Sequence, residues 1–322
     1  MAILGTRFPD FDVERAVLGD VELASGPGRT REEVIEVAAG ADVVLAGASP
    51  RFDAQTLEAI GCRAIVRLGV GLDRIDLDSA RSLGMWVVNV PDYGTEAVAL
   101  HAVTLTLACL RRLTTADRLL RQGEWGVGDL RPLYLPSSLV VGILGFGRIG
   151  RRVAAMLVGV GFGRFLVSDP LAEPSDLSTT LGDVPARLVG PGELLAGSDV
   201  VTLHAPPSHG HMLGADEFQT MKEGSILVNT ARGALVDTIA LIASLREGRP
   251  GLAALDVFEQ EPPDVAVFEP VSDRVILTPH MSWYAEESEL ALRRQAAAEA
   301  NRILTSQAPL HAVVTPAAAE VP

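Results

Sequence analysis

The chain has 322 residues, 48% of them hydrophobic and 21% charged, an ordinary folded composition with length enough for two domains at about 150 residues each. Asp and Glu number 41 against 27 Lys and Arg, and the net charge of -14 repels nucleic-acid backbones and anionic membrane surfaces. The longest apolar run, Ala97 to Leu110, is short of the roughly 18 residues a membrane span needs. The N-terminus has no basic region ahead of an apolar stretch, so no secretion signal is expected, and two cysteines, Cys62 and Cys109, suit a reducing, cytoplasmic location.

From Val21 onward, short β-branched runs alternate with helix-length segments: VELAS, a helix from Arg31, DVVLAG, a helix from Asp53, RAIVRL, a helix from Asp76, and MWVVNV. Such alternation predicts parallel strands joined by crossover helices. TEAVALHAVTLTLACLRR is apolar almost all round, which predicts a helix buried on several sides at a domain junction or dimer interface. Arg111, Arg112, Arg118 and Arg121 behind it read as a solvated face. The Gly- and Pro-rich stretch from Trp125 to Ser138 reads as a long loop. A second alternating series then runs from Leu139 to RVILTPH. A final helix from about Ala285 to Ser306 would return to the first unit, leaving AVVTPAAAEVP as a loose tail.

The strand VVGIL runs straight into Gly145-Phe146-Gly147-Arg148-Ile149-Gly150, a GxGxxG turn opening a helix. Gly145 permits the tight turn, Gly147 lets a diphosphate approach the backbone, and Gly150 allows helix and strand to pack closely. The helix N-terminus offers free N–H groups to phosphate oxygens. Asp169, 19 residues past Gly150 at the end of the next strand, is placed to bind ribose hydroxyls, and Ser168 and Pro170 beside it supply no cation for a 2′-phosphate. NAD is expected rather than NADP.

Three ionisable residues fall at the ends of later strands: Arg232 after SILVNTA, Glu261 after GLAALDVFEQ, and His280 after RVILTP. Singly, each has an ordinary structural explanation. Together they supply a cation for an oxyanion or carboxylate, a proton donor, and an acid that favours the donor's charged form. Carbonyl reduction beside a nicotinamide needs that set.

GFGRIG, NTARG, ALDVFEQEP and TPH, in that order and spacing, resemble the D-isomer-specific 2-hydroxyacid dehydrogenases over about residues 60 to 300. The resemblance implies an α/β fold, a Rossmann-type doubly wound parallel sheet inserted in a flavodoxin-like domain. Residues 1–94 and 285–322 would form the substrate-binding domain, and residues 95–284 the NAD-binding domain with a dimerisation arm. It makes Arg232 the substrate-orienting cation, His280 the acid/base and Glu261 its partner. Asp256 matches the contact to the nicotinamide carboxamide, Thr95 lines the cofactor cleft, and His204, Ala205, Pro206, Thr230 and Ala231 complete the cofactor set. The acid partner is expected to raise the His280 pKa above the ~6.5 reference.

IVRLGVGLDRID, NVPDYGTEAV and TPHMSWYAEES most resemble the C-terminal binding protein-like branch, which includes NAD(H)-dependent corepressors. Arg67 precedes the turn Gly69-Val70-Gly71, whose N–H groups would hold a substrate carboxylate, and Trp283 would wall the substrate side chain. The activity implied is reversible reduction of a 2-oxo acid to the D-2-hydroxy acid, in a homodimer. An NAD(H)-responsive binding protein of corepressor type and a specialised, for example phosphonate, dehydrogenase are the alternatives, although Val70 stands where phosphite dehydrogenases carry lysine. Leu100 departs from the acid many relatives have, and SHGHML replaces the usual Thr-rich stretch. His101 and His204 read as structural or cofactor-facing. His209 and His211 share a loop without a Cys or carboxylate at ligand spacing, so no metal is expected.

Overall fold

A computed structural model describes residues 1–6, 8–207 and 210–316. The chain divides into two compact units, Met1–Gly94 with the segment from Ala285 onward, and Thr95–Tyr284. The first unit opens with β1 (Ala2–Leu4), α1 (Asp12–Leu18), β2 (Ala24–Gly26), α2 (Arg31–Ala38), β3 (Val43–Ala46), α3 (Ala54–Ile60), β4 (Ala64–Arg67), α4 (Leu77–Ser82) and β5 (Trp86–Val88).

Side-chain caps set the helix starts that the sequence marks. Thr30 accepts from the Glu33 N–H, Asp53 from Thr56 and Asp76 from Ser79, each satisfying an amide that the first turn leaves free. Gly61, at φ +56°, ends α3.

The second unit begins with α5 (Thr95–Leu110) and α6 (Leu113–Arg121). It continues through β6 (Val141–Leu144), α7 (Arg148–Gly159), β7 (Phe165–Ser168), α8 (Pro174–Leu181), β8 (Ala186–Leu188), α9 (Pro191–Gly197), β9 (Val200–Leu203), α10 (Ala215–Thr220), β10 (Ile226–Asn229), α11 (Thr238–Glu247), β11 (Leu252–Leu255) and β12 (Val275–Leu277). The chain returns to the first unit as α12 (Glu286–Leu304) and β13 (Ala312–Val314).

Two sheets result. The seven strands of the second unit run β12-β11-β10-β9-β6-β7-β8, all parallel, so the order reverses between β6 and β9. The six of the first run β13-β5-β4-β3-β1-β2, parallel except for β13. The seven-stranded sheet has the Rossmann order and the six-stranded sheet the flavodoxin-like order, the α/β class that the alternating sequence predicts. Strands β3, β6, β9 and β10 are buried along their whole length, as parallel strands covered on both faces must be. Each buried Leu, Ile or Phe in these cores contributes about 1.5–3 kcal/mol.

Three readings from sequence change. AVVT is not loose tail: β13 pairs antiparallel with β5, Ala312 opposite Val88, while residues 317–322 fall outside the described residues. The segment AIL, only three residues before Gly5, is the interior strand β1, hydrogen-bonded to β2 on one side and β3 on the other. VELAS narrows to an edge strand at Ala24–Gly26. Helix α5 buries Val98, Ala99, Ala102, Val103, Leu105, Thr106, Cys109 and Leu110, but Leu100 is exposed. No single helix among the described residues is long and apolar enough to cross a membrane.

Candidate active site

Five adjacent strands of the second unit, β6, β9, β10, β11 and β12, release their C-terminal ends side by side, and the predicted site residues of that unit cluster there. Open α/β sheets bind ligands at this edge, where the strand order reverses.

The glycine turn after β6 has the shape a dinucleotide needs. Gly145 has φ +92°, and a Cβ there would lie 2.5 Å from the His204 carbonyl carbon. A Cβ at Gly150 would lie 2.1 Å from the Gly145 oxygen, so only glycine lets α7 start this close to the turn. Around Gly147 nothing lies within 4 Å of a built Cβ, and Gly147, Arg148 and Arg151 line a cavity of about 460 Å³. No side chain caps α7, so the positive end of its dipole is presented to an anion. Asp169 closes the turn from β7, accepting from the Phe146 N–H at 2.6 Å and the Leu171 N–H at 2.8 Å.

His204, at the end of β9, packs its ring inward with Nε2 2.9 Å from Thr202 Oγ1. Burial pushes its pKa down to about 3, so the ring is neutral. At the end of β10, Thr230 is buried and its Oγ1 has no hydrogen-bond partner, a polar atom left for a ligand to satisfy. Open space at Gly147, two arginines, the uncapped N-terminus of α7 and this hydroxyl fit a bound dinucleotide.

Arg232 leaves β10 through a turn shaped by buried Asn229. Its Oδ1 accepts from the Ala231 N–H at 3.0 Å and its Nδ2 donates to the Arg232 oxygen at 2.9 Å. Arg232 Nη1 donates to the Ala231 oxygen at 2.7 Å.

His280 follows β12 with Nδ1 2.7 Å from Glu261 Oε2, while the other Glu261 oxygen accepts from the Phe258 N–H at 3.1 Å. Burial pushes the Glu261 carboxyl up, but the His280 hydrogen bond and charge, the Phe258 amide and the Arg232 charge outweigh it and hold Glu261 below its usual value. The imidazole is 44% exposed, so Nε2 of the ring is available to a reactant while Nδ1 is held. His280 has φ +50°, a left-handed conformation that a non-glycine residue adopts only when its surroundings impose it.

Asp256 supplies that constraint. It is fully buried. Oδ1 accepts from Thr278 Oγ1 at 2.6 Å and from the Met281 N–H at 3.0 Å, and Oδ2 accepts from the Ser282 N–H at 2.9 Å. Its main-chain oxygen accepts from the His280 N–H at 2.8 Å. One carboxylate and one carbonyl thus hold the turn from Thr278 to Ser282 on the end of β11.

Trp283 stacks edge-to-face on Tyr284, centroids 5.6 Å apart. Thr95 is the first residue of α5, and Ile149, Ala205, Pro206 and Ala231 lie in the β6, β9 and β10 turns. In the first unit, Arg67 ends β4 with Nη1 donating to the Leu68 oxygen and, at 3.3 Å, to that of Ala46. Gly69 beside it has φ +143°, Val70 is 43% exposed, and the Val70 oxygen accepts from Asn89 Nδ2 at 2.9 Å. Gly71 completes that turn.

Four shaping residues escape the sequence reading. Asn229 was visible as an Asx-turn residue at a strand end. Thr278, Gly233 and Glu259 carry no such signal. Glu259 Oε1 sits 2.7 Å from His211 Nε2, with Asp237 Oδ2 3.7 Å from the other ring nitrogen, so carboxylates absent from the local spacing arrive through space. His209 lies outside the described residues, and among the described residues no group of three or more His, Cys, Asp or Glu has the geometry to hold a metal.

The family profile described as "D-isomer specific 2-hydroxyacid dehydrogenase, NAD binding domain" matches residues 103–282. The chain belongs to the D-isomer specific 2-hydroxyacid dehydrogenase family. It is 36% identical over 277 residues to a glyoxylate reductase of Aeropyrum pernix, covering 83% of this chain and 81% of that protein. It is 34% identical over 294 residues to a D-3-phosphoglycerate dehydrogenase of Methanocaldococcus jannaschii, covering 90% of this chain and 54% of the relative. The chain thus spans about half the length of the phosphoglycerate dehydrogenases it matches. The fold superposes on the crystal structure of D-lactate dehydrogenase from Aquifex aeolicus, complexed with NAD and lactic acid, with TM-score 0.87 and 25% identity over 98% of this chain and 99% of that one. NAD is the cofactor of the family domain, and the glycine turn with Asp169 is built for it.

Proposed function

We propose that the chain catalyses reversible NAD-dependent reduction of a 2-oxo acid to the D-2-hydroxy acid. The observation carrying this reading is the His280–Glu261 hydrogen bond on the strand ends that also carry Arg232 and the glycine turn. Bound NADH supplies hydride to the keto carbon. His280 Nε2 gives a proton to the carbonyl oxygen, and Glu261, fixed by the Phe258 amide, holds the ring in the orientation that transfer requires. Arg232 polarises the same oxygen and binds the substrate carboxylate. In the oxidative direction neutral His280 takes the proton back.

Residues 1–94 with 285–322 are assigned to substrate binding and 95–284 to the cofactor. Arg67 and the amides of Gly69, Val70 and Gly71 are assigned to the substrate carboxylate, and Trp283 to its side chain. Within the family, Arg67, Trp283 and the flanking motifs favour the C-terminal binding protein-like branch. The relatives named above make glyoxylate and other small 2-oxo acids the first substrates to try. A homodimer through α6 is supported by the absence of any buried residue on that helix, with Leu113 at 61% and Leu120 at 57% exposure. Cys62 and Cys109, both buried free thiols, accord with a cytoplasmic setting.

The test is NADH consumption with a panel of 2-oxo acids, with chiral analysis of the product. The His280→Gln variant should lose ~100-fold or more in kcat while still binding NADH. Near-normal turnover by that variant sinks the acid/base assignment, and NADH-dependent dimerisation without turnover by the wild type points to the corepressor-type reading instead.

A further inference from the structure

His101 Nε2, on α5, lies 3.1 Å from Thr278 Oγ1 and 3.6 Å from Asp256 Oδ1. The hydrogen-bond roles can be assigned. Asp256 accepts from two main-chain N–H groups as well as from Thr278 Oγ1, so the single proton of the Thr278 hydroxyl is committed to it. Thr278 Oγ1 then has only lone pairs to offer, and His101 must present Nε2–H. A directional chain follows: His101 donates to Thr278, Thr278 to Asp256, and Asp256 fixes the amides of Met281 and Ser282, the two residues that follow His280.

We propose that His101, acting through Thr278 and Asp256, is a positioning residue for the general acid, holding the left-handed turn that aims His280. The proposal rests on the reading of His280 as acid/base. It explains why a histidine sits on an otherwise apolar stretch of α5, and why a fully buried carboxylate is retained with no Arg or Lys among the described residues bonded to it. The helix carrying His101 begins at the first residue of this unit and the clamped turn ends two residues before its last, so one network braces both ends of the segment. The His280 side chain bonds to Glu261, and the three residues reach it through the backbone they hold. Loss of the network should therefore move the acid by a fraction of an ångström to an ångström, a displacement that costs ~10- to 100-fold in proton transfer without touching the cofactor turn.

The test compares His101→Leu, His101→Gln, Thr278→Val and Thr278→Ser in the intact chain. Gln carries an N–H donor near the place of the imidazole Nε2, and Ser keeps the relaying hydroxyl. His101→Leu and Thr278→Val should lower kcat at least ~10-fold, keep the NADH Kd within about twofold, and raise the solvent deuterium isotope effect on kcat. Gln and Ser should recover most of the loss. Unchanged kcat in His101→Leu, or NADH affinity falling in step with kcat in every variant, overturns the proposal. Should the wild type turn over no 2-oxo acid, the function reading fails separately, and the ¹⁵N resonances of the His280 ring report the positioning instead. They should shift in Leu and Val and return in Gln and Ser, and resonances that stay fixed in all four overturn it.

Discussion

Gly233 lies directly against the main chain of Phe258: a Cβ at position 233 would sit 1.9 Å from the Phe258 carbonyl carbon and 2.5 Å from the Glu259 nitrogen. The turn carrying Arg232 and the loop carrying Glu261 can approach each other only because this residue has no side chain. Gly233→Ala must push the two apart, at a cost of about 1–3 kcal/mol for overpacking a buried site. It should also lower kcat/KM ~10- to 100-fold by misplacing Arg232 against Glu261. Gly192→Ala, in α9 with nothing within 4 Å, is the control and should leave thermal stability and kinetics within error. Equal behaviour of the two variants would remove the close approach as an explanation for the glycine.

Glu261 has a depressed pKa in the folded chain, so its charge contributes stability that is fully present above the unfolded carboxyl value of about 4.5 and is lost as pH falls through the lower folded value. The stability gap between wild type and Glu261→Gln should therefore be constant from about pH 5 to 8 and close only in more acid solution. Urea unfolding of both proteins at a series of pH values measures it. A gap that closes between pH 6 and 7 would place the titration elsewhere.

His204 shifts in the same direction, with the opposite charge logic. Its folded pKa of about 3 lies below the ordinary histidine value of 6.5, so the unfolded chain binds the extra proton and the folded chain loses stability as pH falls from 6.5 toward 3. The slope attributable to this ring is at most ~1.4 kcal/mol per pH unit. His204→Asn, which cannot gain that proton, should flatten the acid limb of the stability curve. Parallel limbs for wild type and variant would exclude His204 as their origin.

Much of this arrangement is legible in the sequence, for stateable reasons. GFGRIG is readable because glycine, strand and helix are all local, and Arg232, Glu261 and His280 are readable because each follows its own apolar run. Asp256 was legible as a strand-end acid, but not its grip on residues 278–282. That grip exists only because β11 and β12 pair in parallel with Leu255 opposite Leu277, which brings positions more than twenty residues apart within hydrogen-bonding distance. His211 and Glu259 meet for the same reason, 48 residues apart. Strand β1 escaped because three residues are too few to show a period, although it pairs on both sides. β13 escaped for the same reason: AVV is too short to show a period, and its partner, β5, lies far back in the chain.

The glycine turn yields a prediction in which fold and function separate. Gly147 has φ -72°, accessible to any residue, and open space where a Cβ would go, so Gly147→Ala should fold with unchanged Tm. Its methyl would nonetheless occupy the approach to the N-terminus of α7, and the NADH Kd should rise at least ~10-fold. Gly150 is the reverse case: its Cβ would strike the Gly145 oxygen at 2.1 Å, so Gly150→Ala should lower Tm as well as affinity. Calorimetry with fluorescence titration of NADH distinguishes them. If Gly147→Ala bound NADH as wild type does, the diphosphate would not lie at this turn, and the strand-end site would need a different occupant.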